Sequence, residues 1–265
     1  ARRQRQMWIR DRVSIAVSQW LHENYQNPVV VIGHDCRFGG KLFAQTAAKV
    51  FASHGIHVKL AEGFVTTPMV SLGVVRSSAS IGVVITASHN PPSYNGYKLK
   101  ADFGGPLLQD DIISIENRIP DVVDNDYRNI NIDNLLVSRK IQLIDLEEIY
   151  REEVNNAFDL ESINSSPLKF AFDAMYGSGM NIVKQILPNI KLLHCEENPG
   201  FLGVSPEPIH RNLLEFSELM KIQNLDCGFA TDGDADRIGL YDGKGRFIDS
   251  HHLILLLIHY LVKYK

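Results

Sequence analysis

Short continuous apolar runs alternate along this chain with stretches whose apolar residues recur at helical spacing. Val29-Val30-Val31-Ile32 is a buried-strand candidate, and His57-Val58-Lys59-Leu60 and Ile81-Gly82-Val83-Val84-Ile85-Thr86 predict a second and a third strand. After a loop over 33–40, Leu42, Phe43, Ala47, Val50 and Phe51 predict a helix over 41–54 that Gly55 caps. Thr66-Thr67-Pro68 opens the next helix, with Thr as cap and Pro at the first helical position. Upstream, Val13, Ile15, Ala16, Val17, Trp20 and Leu21 follow a helix-like pattern.

Between 120 and 133 the composition shifts to Asp and Asn (Asp121, Asp124, Asn125, Asp126, Asn129, Asn131, Asp133), which predicts a domain boundary. A second series follows. An acidic connecting helix over 146–160 leads to a strand over 168–172, the turn Gly177-Ser178-Gly179, a helix over 180–187 and a strand over 191–194. Then come a helix over 212–222, a strand over 225–230, a loop over 231–237 and a hairpin over 238–248 turning at Asp242-Gly243. The run Leu253 to Val262, broken by His259, falls short of the roughly 20 residues that cross a bilayer and reads as a buried helix. Strands alternating with helices imply two consecutive α/β domains with mixed, mainly parallel sheets.

Composition narrows the class without naming the chemistry. With 265 residues, 27 Lys plus Arg against 31 Asp plus Glu and a formal charge of −4, the chain offers no basic face to nucleic acid as principal partner. Three widely spaced cysteines, Cys36, Cys195 and Cys227, form no ligand or disulfide pattern and point to a reduced, cytoplasmic setting. The start Ala1-Arg2-Arg3-Gln4-Arg5 is no signal peptide, and no partner membrane is expected. The chain opens on Ala1 within a helix-like pattern and stops at Lys263-Tyr264-Lys265 after an uncapped helix, so both ends read as cut.

Ligands of open α/β sheets collect beyond the carboxyl ends of strands, and the loops there carry the candidate chemistry. Thr86-Ala87-Ser88-His89-Asn90-Pro91-Pro92 exposes a serine on a backbone stiffened by two prolines. It lacks the G-x-S-x-G elbow of a hydrolase, and a plain polar turn is its bland alternative. In Asp232-Gly233-Asp234-Ala235-Asp236-Arg237, residues two apart point the same way, so three carboxylates can converge on a hard cation. An EF-hand loop is excluded, because its sixth and twelfth positions would be Arg237 and Gly243. Gly177-Ser178-Gly179 fails as a dinucleotide fingerprint at Ile182 and reads as a structural turn. Arg37, in Gly33-His34-Asp35-Cys36-Arg37, either holds phosphate or pairs with Asp35.

Four motifs in order carry a family resemblance: the run Thr86 to Lys98, Gly104-Gly105-Pro106, Asn198 to Pro208, and Thr231 to Arg237. Together they resemble the α-D-phosphohexomutase superfamily, and within it the phosphoglucomutase/phosphomannomutase group. The resemblance implies interconversion of hexose 1- and 6-phosphates (glucose or mannose) through a phosphoserine and one Mg²⁺, with glucose 1,6-bisphosphate as activator. By position, Ser88 matches the phosphorylated serine; Asp232, Asp234 and Asp236 match the metal ligands, with Ser88 completing the site. Lys98 and Arg237 match basic residues near the transferring phosphoryl group, and His89 and Arg37 its polar surround; Lys98 or His89 would accept the proton of the attacking hydroxyl.

The family has four domains. The resemblance assigns residues 1–140 to domain I and 146–250 to domain II, with 251–265 leading toward a third. Position 34 is His where the family often has Arg. Nothing matches the family's first strand, its sugar-recognition loop or its phosphate-anchoring loop. The expectation is a fragment with the phosphoserine and metal half, lacking its C-terminal partner domains and showing little or no turnover alone. Phosphoglucosamine mutase or another sugar-phosphate mutase is the alternative enzyme, and a non-catalytic phosphosugar-binding module the alternative class.

Overall fold

The computed structural model describes residues 2–123 and 126–264, with the side chains of residues 2–9 and 128 left aside; Ala1, Lys265, and Asp124 and Asn125 of the expected boundary lie outside the described residues. The chain forms two compact units, one of Ala1–Thr86 with Asn95–Tyr150, the other of Ala87–Tyr94 with Arg151–Lys265.

The first unit is built on α1 (Arg2–Asn24), β1 (Val29–His34), α2 (Gly40–Ser53), β2 (His57–Ala61), α3 (Thr67–Arg76) and β3 (Ile81–Ile85). They are followed by β4 (Lys98–Ala101), α4 (Gln109–Glu116), α5 (Ile132–Val137) and β5 (Ile141–Ile144). The sheet order is β4-β3-β1-β2-β5, all parallel except β4, which runs antiparallel to β3. Alternation within the apolar strands feeds two faces. Val30, Ile32, Val58, Leu60, Ile81 and Val83 pack under α1 and α2, where Ala44, Ala47, Ala48 and Ala52 leave room for Trp20 and Leu21. On the other face α3 lies over β1 and β3. The Thr66 hydroxyl accepts from the Met69 amide at 3.2 Å, a cap that contributes about 1 kcal/mol. Gly55, at φ +76, follows α2 in the left-handed conformation that lets the chain reverse into β2.

The Asp/Asn-rich stretch is not the expected boundary. Tyr127 is buried, and with Val123 and Ile130 it packs on Ile15 and Val50. β5, beyond residue 140, extends the same sheet through β2. α6 (Leu146–Ala157) then runs through the division between the units.

The second unit continues with α7 (Leu160–Asn164), β6 (Phe170–Asp173), α8 (Met180–Ile186), β7 (Lys191–Leu193), α9 (Leu214–Ile222), β8 (Cys227–Thr231), β9 (Ile238–Asp242), β10 (Phe247–Ile248) and α10 (Ser250–Tyr264). Its order is β10-β9-β8-β6-β7, with β6 parallel to β7 and β8, and the β8-β9-β10 edge antiparallel. Ala171, Phe216, Met220, Ala230 and Tyr241 form one core, which Phe216 and Tyr241 tie together edge to face at 5.5 Å. Phe172 and Phe229 meet separately, with ring centroids 5.2 Å apart.

The helix expected over 253–262 forms within α10, but it is not buried. Leu255, Leu256, Ile258 and Leu261 are all more than half exposed, and Val262 is 83% exposed. An apolar composition signals a need for cover; it does not supply the surface that covers. Among the described residues, no helix is long and apolar enough to cross a membrane.

Candidate functional site

β8 ends at Thr231, and the chain then folds on Asp232. The Asp232 Oδ1 accepts from the Asp236 and Arg237 amides at 3.0 and 3.1 Å, and the Asp232 amide donates to the Arg237 carbonyl at 3.3 Å. Ala235 sits at φ +55, a conformation that a bulky or β-branched side chain would resist. The loop gathers one oxygen each from Asp232, Asp234 and Asp236 within 4.8 Å of one another, the first two residues buried and the third exposed.

A second turn clamps this loop. β6 and β8 are neighbours at the point where the chain changes direction across the sheet, so the turns after them are brought side by side. The Ser178 amide and hydroxyl both donate to the Gly233 carbonyl, at 3.0 and 3.2 Å. A Cβ on Gly177 would stand 2.7 Å from the Asp232 carbonyl oxygen and 2.8 Å from that of Ala174. Only glycine permits that approach. The Gly177-Ser178-Gly179 turn is structural, as its sequence suggests, and what it supports is the acidic loop.

Ser88 joins the same cluster. It is buried, sits at φ +50, and its hydroxyl donates to Asp232 Oδ2 at 2.6 Å. Amides of Asn90 and Tyr94 donate to the carbonyls of Ala87 and Pro91, each at 3.0 Å, closing successive turns around it. The adjacent His89 is half-buried, and its Nδ1 has no hydrogen-bond partner among the described residues. Burial pushes the Asp232 carboxyl up to about 7, helped by the charges of Asp234 and Asp236 and opposed by the Ser88 hydrogen bond. Three mutually repelling oxygen donors, two of them desolvated, suit a hard cation such as Mg²⁺.

Of the remaining site candidates, Arg237 belongs to the second unit, with the acidic loop, and Lys98 and Arg37 belong to the first. Arg237 is exposed at the start of β9, its backbone tied to Asp232. Lys98 opens β4 opposite Val84 of β3 and is half-buried in the first unit. Arg37 is buried, and its Nε donates to Asp35 Oδ2 at 3.1 Å, which is the pairing alternative of its two sequence readings. Asp35 does more than the sequence indicates. It also accepts from the Arg37 amide at 3.0 Å and from the Thr86 hydroxyl at 2.6 Å. It thereby ties the turn after β1 to the residue where the Ser88 loop departs. Thr86 and Asp35 are 51 positions apart, and no local pattern marks the pair.

Residues 9–125 match the family model described as phosphoglucomutase/phosphomannomutase, alpha/beta/alpha domain I, and residues 148–245 match that for domain II. A phosphoglucomutase of Staphylococcus epidermidis is 31% identical over 268 residues, 95% of this chain and 48% of the relative. A probable phosphoglucosamine mutase of Methanosphaera stadtmanae is 30% identical over 236 residues, 88% of this chain and 50% of the relative. The crystal structure of a putative phosphomannomutase from Thermus thermophilus superposes with TM-score 0.84 at 30% identity, covering 97% of this chain and 58% of that one. The chain spans about half the length of the curated relatives it matches. With two consecutive family models covering most of its residues, on two α/β units with mixed sheets, the chain belongs to the phosphoglucomutase/phosphomannomutase family.

Proposed function

We propose that this chain carries the phosphoserine and Mg²⁺ half of a cytoplasmic phosphohexomutase interconverting glucose or mannose 1- and 6-phosphates. The observation that carries the reading is the 2.6 Å hydrogen bond from Ser88 to Asp232 within a cluster of three carboxylates. A serine nucleophile beside a cation site is of little use to a pure phosphosugar binder. Residues 1–140 then act as domain I and 146–250 as domain II, with 251–265 leading toward the domains that hold the sugar.

In this reading Ser88 carries the phosphoryl group. A sugar hydroxyl oxygen bonds to phosphorus as the Ser88 Oγ–P bond breaks, the bisphosphate turns round, and its other phosphoryl group returns to Ser88. Asp232, Asp234, Asp236 and an oxygen on Ser88 would hold Mg²⁺, which would supply charge to offset the negative phosphoryl oxygens. Lys98 and Arg237 add cationic charge, and Arg37, fixed by Asp35, belongs to the polar surround. The proton of the attacking hydroxyl goes to Lys98 or His89. Glucose 1,6-bisphosphate, the reaction's own intermediate, serves as activator by loading Ser88.

The relative described as a probable phosphoglucosamine mutase supports a second reading, in which the sugar is an aminohexose phosphate. The phosphoserine and cation chemistry would be unchanged. The metal half is tested by thermal unfolding. Mg²⁺ raises the midpoint of the wild-type chain and leaves that of Asp234→Asn unmoved; an equal rise in both removes the acidic loop from the proposal.

A further inference from the structure

The second unit holds a recess that neither Ser88 nor the acidic loop uses. It lies beyond the carboxyl ends of β6 and β7, is closed by residues 201–206 and the start of α9, and encloses about 150 Å³. Its interior is apolar, with Phe201, Leu213 and Phe216 buried behind Tyr176 and Leu202. An apolar cavity of this size accommodates one six-membered ring. It adjoins a shallower basin of about 560 Å³ that shares Tyr176, His194, Leu202 and Glu215 and forms its mouth.

The mouth is negatively charged. His194 Nδ1 meets Asp173 Oδ1 at 3.0 Å, and its Nε2 meets Glu215 Oε2 at 3.4 Å, so a protonated imidazole offsets only one of two carboxylates. Glu196 adds a third on the basin wall, while the nearby Lys184 ammonium is directed to the Cys195 carbonyl at 2.7 Å. The recess is set by the backbone. Met175, Tyr176, His194, Phe201 and Leu202 hold φ values of +48, +59, +47, +48 and +49, a wall shaped in advance of any ligand.

We propose that this recess binds a small organic cation: a compact apolar body seated against Tyr176 and Leu202, with one ammonium group at the exposed Glu215 and Glu196 carboxylates of the mouth. Burial of the apolar body supplies affinity, and the carboxylates select charge. The site stands independently of the phosphoserine reading, since none of its residues belongs to that cluster.

Benzylammonium is the probe, titrated into the intact chain by NMR, with benzyl alcohol as the neutral match and Glu215→Gln as a variant at an exposed position. Saturable shifts at the Tyr176 and His194 side chains are expected, with benzyl alcohol about tenfold weaker. Glu215→Gln should weaken benzylammonium about threefold, because Glu215 is exposed and its ion pair is screened. No saturable shift at those two side chains, equal affinity for the two probes, or unchanged affinity in Glu215→Gln overturns the proposal.

Discussion

Ser88 at φ +50 and Asp35 at full burial are the residues on which the candidate site most depends, and they act in different ways. Ser88 presents its hydroxyl to Asp232. Asp35 fixes the strand end two residues before it through the Thr86 hydroxyl. Thr86→Val removes a charge-assisted hydrogen bond from a buried carboxylate and should cost about 1.5–3 kcal/mol in urea unfolding; a cost near zero would deny Asp35 this role. His194 offers a pH-dependent counterpart. Burial lowers its pKa, but hydrogen bonding and charge from Asp173, with Glu215 and Glu196, outweigh that and raise it above the ordinary 6.5. The protonated form is therefore favoured by folding. Its stabilisation is complete below the unfolded value and is lost as pH rises through the folded one. The stability gap between wild type and His194→Asn should be widest below pH 6.5 and narrow at higher pH; a gap independent of pH would contradict the pairing of His194 with Asp173 and Glu215.

Among the elements, legibility in the sequence followed burial. β1 and β3 are buried on both faces, so Val29 to Ile32 and Ile81 to Ile85 stand out as continuous apolar runs. β5 is a short edge strand, Ile-Gln-Leu-Ile, whose Gln142 and Leu143 are exposed, and nothing in four such residues separates it from a loop. The Asp/Asn-rich stretch before it imitates a linker, because its few apolar side chains, Val123, Tyr127 and Ile130, do the packing. The acidic loop was legible from carboxylates two apart, whereas the clamp from the 177–179 turn arises from neighbouring strands far apart in sequence. Gly177→Ala tests that clamp. Its Cβ would meet two backbone carbonyl oxygens, so a loss of about 2 kcal/mol or more is expected in chemical denaturation, together with loss of the Mg²⁺-dependent rise in melting midpoint. An alanine variant with wild-type stability and Mg²⁺ response would show that the turn does not hold the loop.

For the whole molecule, the family and the two-unit α/β architecture were legible from four ordered motifs, while the exposure of α10 was not. Its apolar sequence predicts a core helix, yet α10, although it meets β9, has no buried residue. The chain spans about half of its curated relatives, so the complete reaction cycle belongs to the proposal, and the two chemical groups in hand are its testable part. The most direct measurement is the intact mass of the chain with phosphopeptide mapping, before and after glucose 1,6-bisphosphate in the presence of Mg²⁺. The account predicts a single phosphate, located on Ser88 and absent from Ser88→Ala; a folded, Mg²⁺-responsive chain on which Ser88 never carries phosphate would contradict it.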